Sequence, residues 1–171
     1  MVELFLGGAR SGKSRLAEER AEQVGGSVTY LATATAGDGE MAERIAAHRE
    51  QRPAHWGLVE EPLALGRVLR RTATPDRVVL VDCLTLWLAN VLALGEERFA
   101  GERAALLEAL EEAAGPVVLV SNEVGSGIVP LGAETRRYAD EAGRLNQAVA
   151  ARSDRVTLVV AGLPWVLKEA A

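Results

Sequence analysis

The sequence of 171 residues holds one cysteine, Cys83, and two histidines, His48 and His55. A lone cysteine excludes an internal disulfide framework and suits a reducing, cytoplasmic compartment. With so few histidines and cysteines there is no cluster of them at metal-ligand spacing. Basic charge is also scarce: 19 Lys and Arg stand against 24 Asp and Glu, a net charge of −5. That balance lacks the basic bias of a general nucleic-acid binder. No apolar run is long enough to cross a bilayer. The longest apolar stretch, residues 78–94, carries Asp82 and Asn90, and is too short and too polar to span one. No segment reads as a secretory signal, because Glu3 and a glycine-rich loop interrupt the N-terminus at once. Internal repeats, low-complexity stretches and linkers are absent, so residues 1–171 are expected to form one domain.

Against these absences, the first residues carry a dense signal. Val2-Glu3-Leu4-Phe5-Leu6 leads into Gly7-Gly8-Ala9-Arg10-Ser11-Gly12-Lys13-Ser14, and then into a helical pattern from Arg15. The middle piece fits G-x-x-x-x-G-K-[ST], with a strand before it and a helix after it as that motif requires. The glycines let successive N–H groups turn inward around phosphate oxygens. Lys13 would place a charge on the β/γ-phosphates, Ser14 would offer a hydroxyl to Mg²⁺, and the helix N-terminus adds positive potential. The motif therefore predicts binding of a nucleoside triphosphate.

Further along, residues 14–24 read as a helix with Ala17, Ala21 and Val24 on one face, stopped by Gly25-Gly26. Residues 27–33 are β-branched and aromatic, hence a second strand. A loop over 34–39 and a helix over 40–51 follow, ended by Pro53. A short strand is expected over 57–60 and a helix over 62–71 with proline in its first turn. Residues 77–82 form an apolar run closed by an acid, the pattern of a buried parallel strand. Helices are expected over 84–94 and 102–114, the second with Leu106, Leu107 and Leu110 inward. A buried strand over 116–121 leads to a glycine-rich loop over 122–132. A helix over 134–152 carries Tyr138, Ala142, Leu145 and Val149 at helical spacing. A last core strand covers 155–161, with Gly162-Leu163-Pro164 after it. Strands alternate with helices, and most are continuously apolar. The fold class is therefore α/β, a mostly parallel sheet with helices on both faces, of the P-loop NTPase, RecA-like type. Ligands of such sheets sit at the carboxyl ends of the strands.

Those ends carry polar residues: Thr33, Asp82, and Ser121-Asn122-Glu123. Asp82 is placed to hold Mg²⁺ opposite Ser14, or to cap the helix that follows; the two roles are compatible. Arg44, His48 and Arg52 share one helical face, with Arg49 beside it. Neighbouring positive charge keeps an imidazole neutral, and a neutral imidazole is a nucleophile near pH 7, while the arginines suit phosphate oxygens. The same spacing also describes a histidine buried beside Met41 and Ile45, or a solvated basic face. Glu60 and Glu61 could contact a ribose or base edge, or form an exposed acidic pair. The loop from Asn122 to Pro130 is a candidate wall for a second substrate, or a long surface loop. Asp140-Glu141-Ala142-Gly143 has the D-x-x-G pattern of GTPases, but it lies within a helical pattern and no N-K-x-D sequence exists. Trp56 and Cys83 read as packing residues.

Taken together, these residues resemble the bifunctional adenosylcobinamide kinase/adenosylcobinamide-phosphate guanylyltransferase family of cobalamin biosynthesis. The likeness covers essentially the whole chain: the P-loop, Tyr30-Leu31-Ala32-Thr33-Ala34, the segment from Glu40-Met41 through His48-Arg49 to Arg52-Pro53, Trp56 and Glu60, residues 81–88, Asn122 to Pro130, Asp140, Gly143, Asn146-Gln147 and Ala161-Gly162-Leu163-Pro164. The resemblance implies two reactions. A phosphoryl group passes from ATP or GTP to the aminopropanol hydroxyl of adenosylcobinamide, and GMP then passes from GTP to adenosylcobinamide phosphate. In the family the guanylyl group rides on a histidine, by motif position His48, with Ala47 rather than a second histidine before it. The family's nucleotide contacts carry over to Gly7, Gly8, Ala9, Arg10, Ser11, Gly12, Lys13 and Ser14, to Ala32, Thr33 and Ala34, to Arg49, Glu50, Gln51 and Arg52, and to Glu60 and Asp82. Lys13 would serve catalysis with His48, and Ser14 and Asp82 would serve Mg²⁺. The resemblance also implies a homotrimer. A single-activity P-loop small-molecule kinase and a nucleotide-dependent protein switch are the rival readings from the residues alone.

Overall fold

The computed structural model describes residues 1–35 and 53–170. Strand β1 (Val2–Gly7) runs into helix α1 (Lys13–Val24), and β2 (Ser27–Ala32) follows. After it come β3 (Gly57–Glu60), α2 (Leu65–Thr72), β4 (Arg77–Asp82), α3 (Leu84–Leu92) and α4 (Glu96–Glu111). The chain closes with β5 (Val117–Asn122), α5 (Ala133–Arg152), β6 (Arg155–Val160) and β7 (Leu163–Glu169). The strands form one seven-stranded sheet in the order β3-β2-β4-β5-β1-β6-β7. All neighbours are parallel except β6 and β7.

The central strands are apolar because both faces are covered. On one side α1 lays Ala17 and Ala21 against Phe5, Tyr30, Val78, Leu80, Val118 and Val120. On the other, α2 to α5 bury Leu69, Trp87, Leu88, Leu106 and Leu145 against Leu4, Leu31, Val79, Val81 and Leu119. Two small residues on α1 let that helix sit close to the sheet. Trp56 and Cys83 are buried in the α1-side cluster, as expected of packing residues. Glu3, the charge that interrupts β1, is 2% exposed and is gripped by Arg20 through Nε (3.0 and 2.8 Å) and Nη2 (2.5 Å). A buried carboxylate needs such a partner. Among the described residues no helix is long and apolar enough to cross a membrane.

Several boundaries differ from the sequence expectation, each for a physical reason. The helix expected over 62–71 starts at Leu65. The amides of Leu63 and Ala64 donate to Glu61 Oε1 (3.0 and 2.9 Å), and the carbonyls of Pro62 and Leu63 accept from Asn90 and Trp87. Side chains thus satisfy the groups that a first helical turn would have used. The helix expected over 102–114 runs from Glu96 to Glu111. Gly95, at φ 94°, opens it, and Gly101 simply lies within it, exposed, where an added Cβ would meet nothing. The chain after residue 160 is not an irregular tail. Ala161 and Gly162, at φ 53° and 79°, make a tight turn of the type that hairpins favour, and β7 returns antiparallel to β6. The loop expected over 34–39 falls outside the described residues beyond position 35, as does the whole helix expected over 40–51.

Candidate active site

β1 ends on Gly7, which is buried beneath the loop that follows. A Cβ there would lie 2.5 Å from both Ser11 Oγ and the Val159 carbonyl oxygen, so a side chain does not fit. Gly8, Ala9 and Arg10 are exposed, and Arg10 and Gly12 adopt left-handed φ values of 56° and 93°. Such reversals turn backbone N–H groups toward a common centre. Ser11 N donates to the Gly8 carbonyl (3.3 Å), and Leu16 N to that of Gly12 (3.2 Å), which starts α1. The β6–β7 turn braces the loop from outside: Gly162 N donates to the Ser11 carbonyl (2.8 Å).

Lys13 opens α1 and is buried, its Nζ donating to the Gly8 carbonyl (3.0 Å). Burial pulls its pKa below the ordinary lysine value, against the opposing pull of Asp82 and Cys83. Ser14, next in the first turn, is half-buried, as is Asp82 at the end of β4. The parallel register sets Ala32 beside Asp82 on one side and Glu60 on the other. Ala32 packs with the α1-side cluster, so all three project from the face that carries the P-loop. Glu60 is exposed and Ala34 half-buried. The residue that caps α3 is Cys83, not Asp82. Glu61 is spent on the α2 approach, as described above.

Behind these strand ends lies a polar network whose connections the sequence did not show. Thr33 is fully buried. Its hydroxyl donates to the Cys83 carbonyl (2.7 Å) and accepts from Cys83 N (2.9 Å), while its own carbonyl accepts from Asn90 Nδ2 (2.9 Å). Thr85 Oγ1 meets Cys83 Sγ (3.0 Å) and accepts from Asn122 Nδ2 (3.1 Å). Asn146 accepts from Ser121 Oγ (2.7 Å) and donates to the Asn122 carbonyl (3.2 Å). Tyr138 OH donates to the Thr85 carbonyl (2.9 Å). Burial, then the nearby Cys83, pushes the Tyr138 pKa up to about 12, so it stays a donor. Burial and then Asp82 raise the Cys83 thiol, which leaves it protonated and a poor nucleophile. The sequence singled out Thr33, Ser121 and Asn122 as polar strand ends, and Asn90 is a lone amide in an apolar helix, but nothing in it paired them. On the P-loop side, Glu123 N donates to the Gly7 carbonyl (3.1 Å).

The model of the CobU family, cobinamide kinase / cobinamide phosphate guanyltransferase, matches residues 3–167. The chain belongs to the CobU family. It is 61% identical over 98% of its length, and 98% of the relative's, to the bifunctional adenosylcobalamin biosynthesis protein CobP of Pseudomonas aeruginosa. It is 40% identical to the CobU protein of Escherichia coli, over 98% of this chain and 100% of that one, and 42% identical to that of Salmonella typhimurium over the same shares. Among solved structures, the RadB recombinase aligns with a TM-score of 0.53 at 19% identity, covering 92% of this chain and 73% of that one. A Pyrococcus horikoshii OT3 protein aligns with a TM-score of 0.56 at 9% identity, covering 98% and 86%. These likenesses give the fold alone, which is RecA-like.

The CobU-family chain is thus a bifunctional cobinamide kinase and guanylyltransferase that works on nucleotide substrates. Of the residues expected at its site, the structure brings the P-loop from Gly7 to Ser14 to the same strand-end region as Ala32, Thr33, Ala34, Glu60 and Asp82. Thr33 stands apart in one respect, since its hydroxyl is used up on Cys83. His48, Arg49, Glu50, Gln51 and Arg52 lie outside the described residues.

Proposed function

We propose that this chain phosphorylates the aminopropanol hydroxyl of adenosylcobinamide from ATP or GTP, and then guanylylates the product through a covalent intermediate on His48. The observation that carries the nucleotide half is Lys13. A buried ammonium, held by the loop carbonyl of Gly8 and facing the charge of Asp82, is arranged for a polyanion between the loop amides and the strand ends. In the first reaction the acceptor hydroxyl oxygen forms a bond to Pγ, the bond from Pγ to the β-bridging oxygen breaks, and the hydroxyl proton leaves to water. Lys13 and the loop N–H groups meet the charge on the phosphate oxygens. In the second, a ring nitrogen of neutral His48 attacks Pα of GTP and pyrophosphate leaves. An oxygen of the cobinamide phosphate then attacks Pα, the P–N bond breaks, and the histidine is restored. Arg49 and Arg52 suit the equatorial oxygens, and Glu60, Ala32, Thr33 and Ala34 line the nucleotide, with Glu50 and Gln51 beside them.

Ser14 and Asp82 would hold Mg²⁺. Magnesium takes oxygen donors and keeps only one or two protein ligands, filling its shell with phosphate and water. A serine hydroxyl and one carboxylate fit that demand. Among the described residues no group of three or more carboxylate, cysteine or histidine side chains offers a fuller cage. When bound, the ion would neutralise phosphate charge.

The assembly we propose is a homotrimer. Every residue of β7 is exposed, and Leu163 and Trp165 are 72% and 66% exposed on a strand with a free edge, a surface that favours self-association. Light scattering should give the mass of three chains.

The decisive experiment incubates the protein with Mg²⁺ and α-phosphate-labelled GTP, denatures it, and follows the label. Acid-labile, alkali-stable label that is absent from His48→Ala and absent with γ-labelled GTP is expected. An active wild-type protein that retains no label would sink the histidine route.

A further inference from the structure

The loop between β5 and α5 carries a feature that the nucleotide chemistry does not use. Ile128 is 96% exposed, Leu131 97% and Val129 73%. From residue 125 to residue 132 no side chain is charged. Clustered apolar side chains left in water mark a surface with a partner.

The backbone beneath that tip is fastened at both ends. At the start, Glu123 N donates to the Gly7 carbonyl (3.1 Å), which ties the loop to the P-loop. The Glu123 carboxylate then accepts from Gly125 N (2.7 Å) and Ser126 N (3.2 Å). At the far end, Arg136 Nη1 donates to the carbonyls of Pro130 (3.0 Å) and Leu131, and Arg136 N to that of Gly132 (3.0 Å). The tip is thus left exposed on a loop whose base is bonded to the start of the phosphate loop.

The occupant follows from the reaction. The acceptor of the kinase step is a corrin macrocycle whose ring presents apolar, methyl-bearing surface between its amide arms, and it carries its hydroxyl on a flexible arm. The arm must reach the phosphate loop while the ring rests on protein nearby. Ile128 lies five residues from Glu123, whose amide is bonded to Gly7, so the tip is tethered within ~17 Å of the start of the phosphate loop, a span the acceptor's ring and arm can bridge. An uncharged loop imposes no charge-desolvation cost when an apolar face covers it. We propose that Ile128, Val129 and Leu131 form the platform on which the corrin ring of the acceptor rests during phosphoryl transfer. This rests on the cobinamide kinase reading, and assigns that reaction its acceptor surface.

The test uses the full-length protein with Ile128→Ser and Leu131→Ser combined. Both side chains are almost wholly exposed, so the fold is unaffected. Initial rates are measured with adenosylcobinamide varied at saturating nucleotide, beside the nucleotide Kd by equilibrium dialysis and the molar mass by light scattering. The KM for adenosylcobinamide should rise about tenfold or more, with kcat within about twofold of wild type and nucleotide Kd and mass unchanged. The conservative pair Ile128→Val and Leu131→Met should restore the wild-type KM. An unchanged KM in the serine variant overturns the proposal. So does a KM that rises with a fall in molar mass, because the tip would then be a contact between copies. A wild-type protein that never phosphorylates adenosylcobinamide would instead overturn the kinase reading, and this one with it.

Discussion

Thr33→Val is the sharpest probe of how the site is held. Valine matches threonine in shape, so no cavity forms and the change is confined to the hydroxyl. That hydroxyl bridges both polar groups of Cys83, donating to its carbonyl at 2.7 Å and accepting from its amide at 2.9 Å. Thr33 is fully buried and Cys83 is 6% exposed, so water does not replace either bond. The Cys83 carbonyl keeps the Trp87 amide at 3.2 Å, so the change strips its partner from the Cys83 amide alone, and a buried polar group left in that way costs about 1–3 kcal/mol. With a urea slope of ~2 kcal/mol per molar, the unfolding midpoint should fall by about 0.5–1.5 M. Because Cys83 follows Asp82 directly, nucleotide affinity in the presence of Mg²⁺ should fall as well. Thr33→Ser keeps the hydroxyl, removes one methyl and should cost only about 1 kcal/mol. A midpoint for Thr33→Val within about 0.3 M of wild type at unchanged slope would refute the bridge.

Three further outcomes follow from other contacts. Asn90→Leu strips donors from the Thr33 and Pro62 carbonyls (2.9 and 3.2 Å) and should lower thermal stability by about 1–3 kcal/mol in a calorimetric scan; an unchanged melting temperature would contradict it. Gly66→Ala would set a Cβ 2.4 Å from the backbone carbonyl of Ala105, where α2 crosses α4. It should destabilise by about 1–3 kcal/mol, and a neutral result in urea would show that the helices can separate freely. For pH dependence, the Ser126 hydroxyl first, and then the Gly125 and Ser126 amides, hold the Glu123 carboxyl below the usual value of 4.5. A folded-state pKa below the unfolded one stabilises above the unfolded pKa and loses that contribution as pH falls through the folded value. Hydrogen exchange of the Gly125 and Ser126 amides should therefore be faster in Glu123→Ala than in wild type at pH 7, and the two should converge only once the pH has fallen below the depressed folded-state pKa. A difference that persists in acid would exclude the carboxylate as its source.

The fold was legible where residue type alone decides. β1, the P-loop and α1 read correctly because an apolar run, a fixed glycine spacing and a small-residue face are each local. The four central strands read as parallel because burial on both faces leaves no alternation. β7 was not legible, since Leu163–Glu169 is exposed throughout and includes Pro164 and Lys168, so neither burial nor period marks it. It exists because Ala161 and Gly162 turn the chain back onto β6, and alanine is an unusual residue for a left-handed position. The start of α4 was obscured by Gly101, which tolerates the helix because nothing crowds it.

The site divides along the same line. Lys13, Ser14 and Asp82 stand out in the sequence because the roles proposed for them depend on their own side chains at strand or helix ends. Thr33, Asn90, Thr85, Tyr138 and Asn146 act through partners far along the chain. The Asn90 to Thr33 bond spans 57 positions and that from Tyr138 to Thr85 spans 53. No window of sequence contains both ends of such a bond. Yet these residues decide where Asp82 stands, since the peptide after it is clamped by Thr33, and Thr33 is held in turn by Asn90. A strand end in this sheet therefore does two jobs at adjacent positions. In the proposed site one side chain faces the nucleotide, and the next backbone unit is locked from behind by the Thr33 hydroxyl, itself held by an amide on a helix. The first job is written in residue identity, while the second is visible only once β2 and β4 lie side by side.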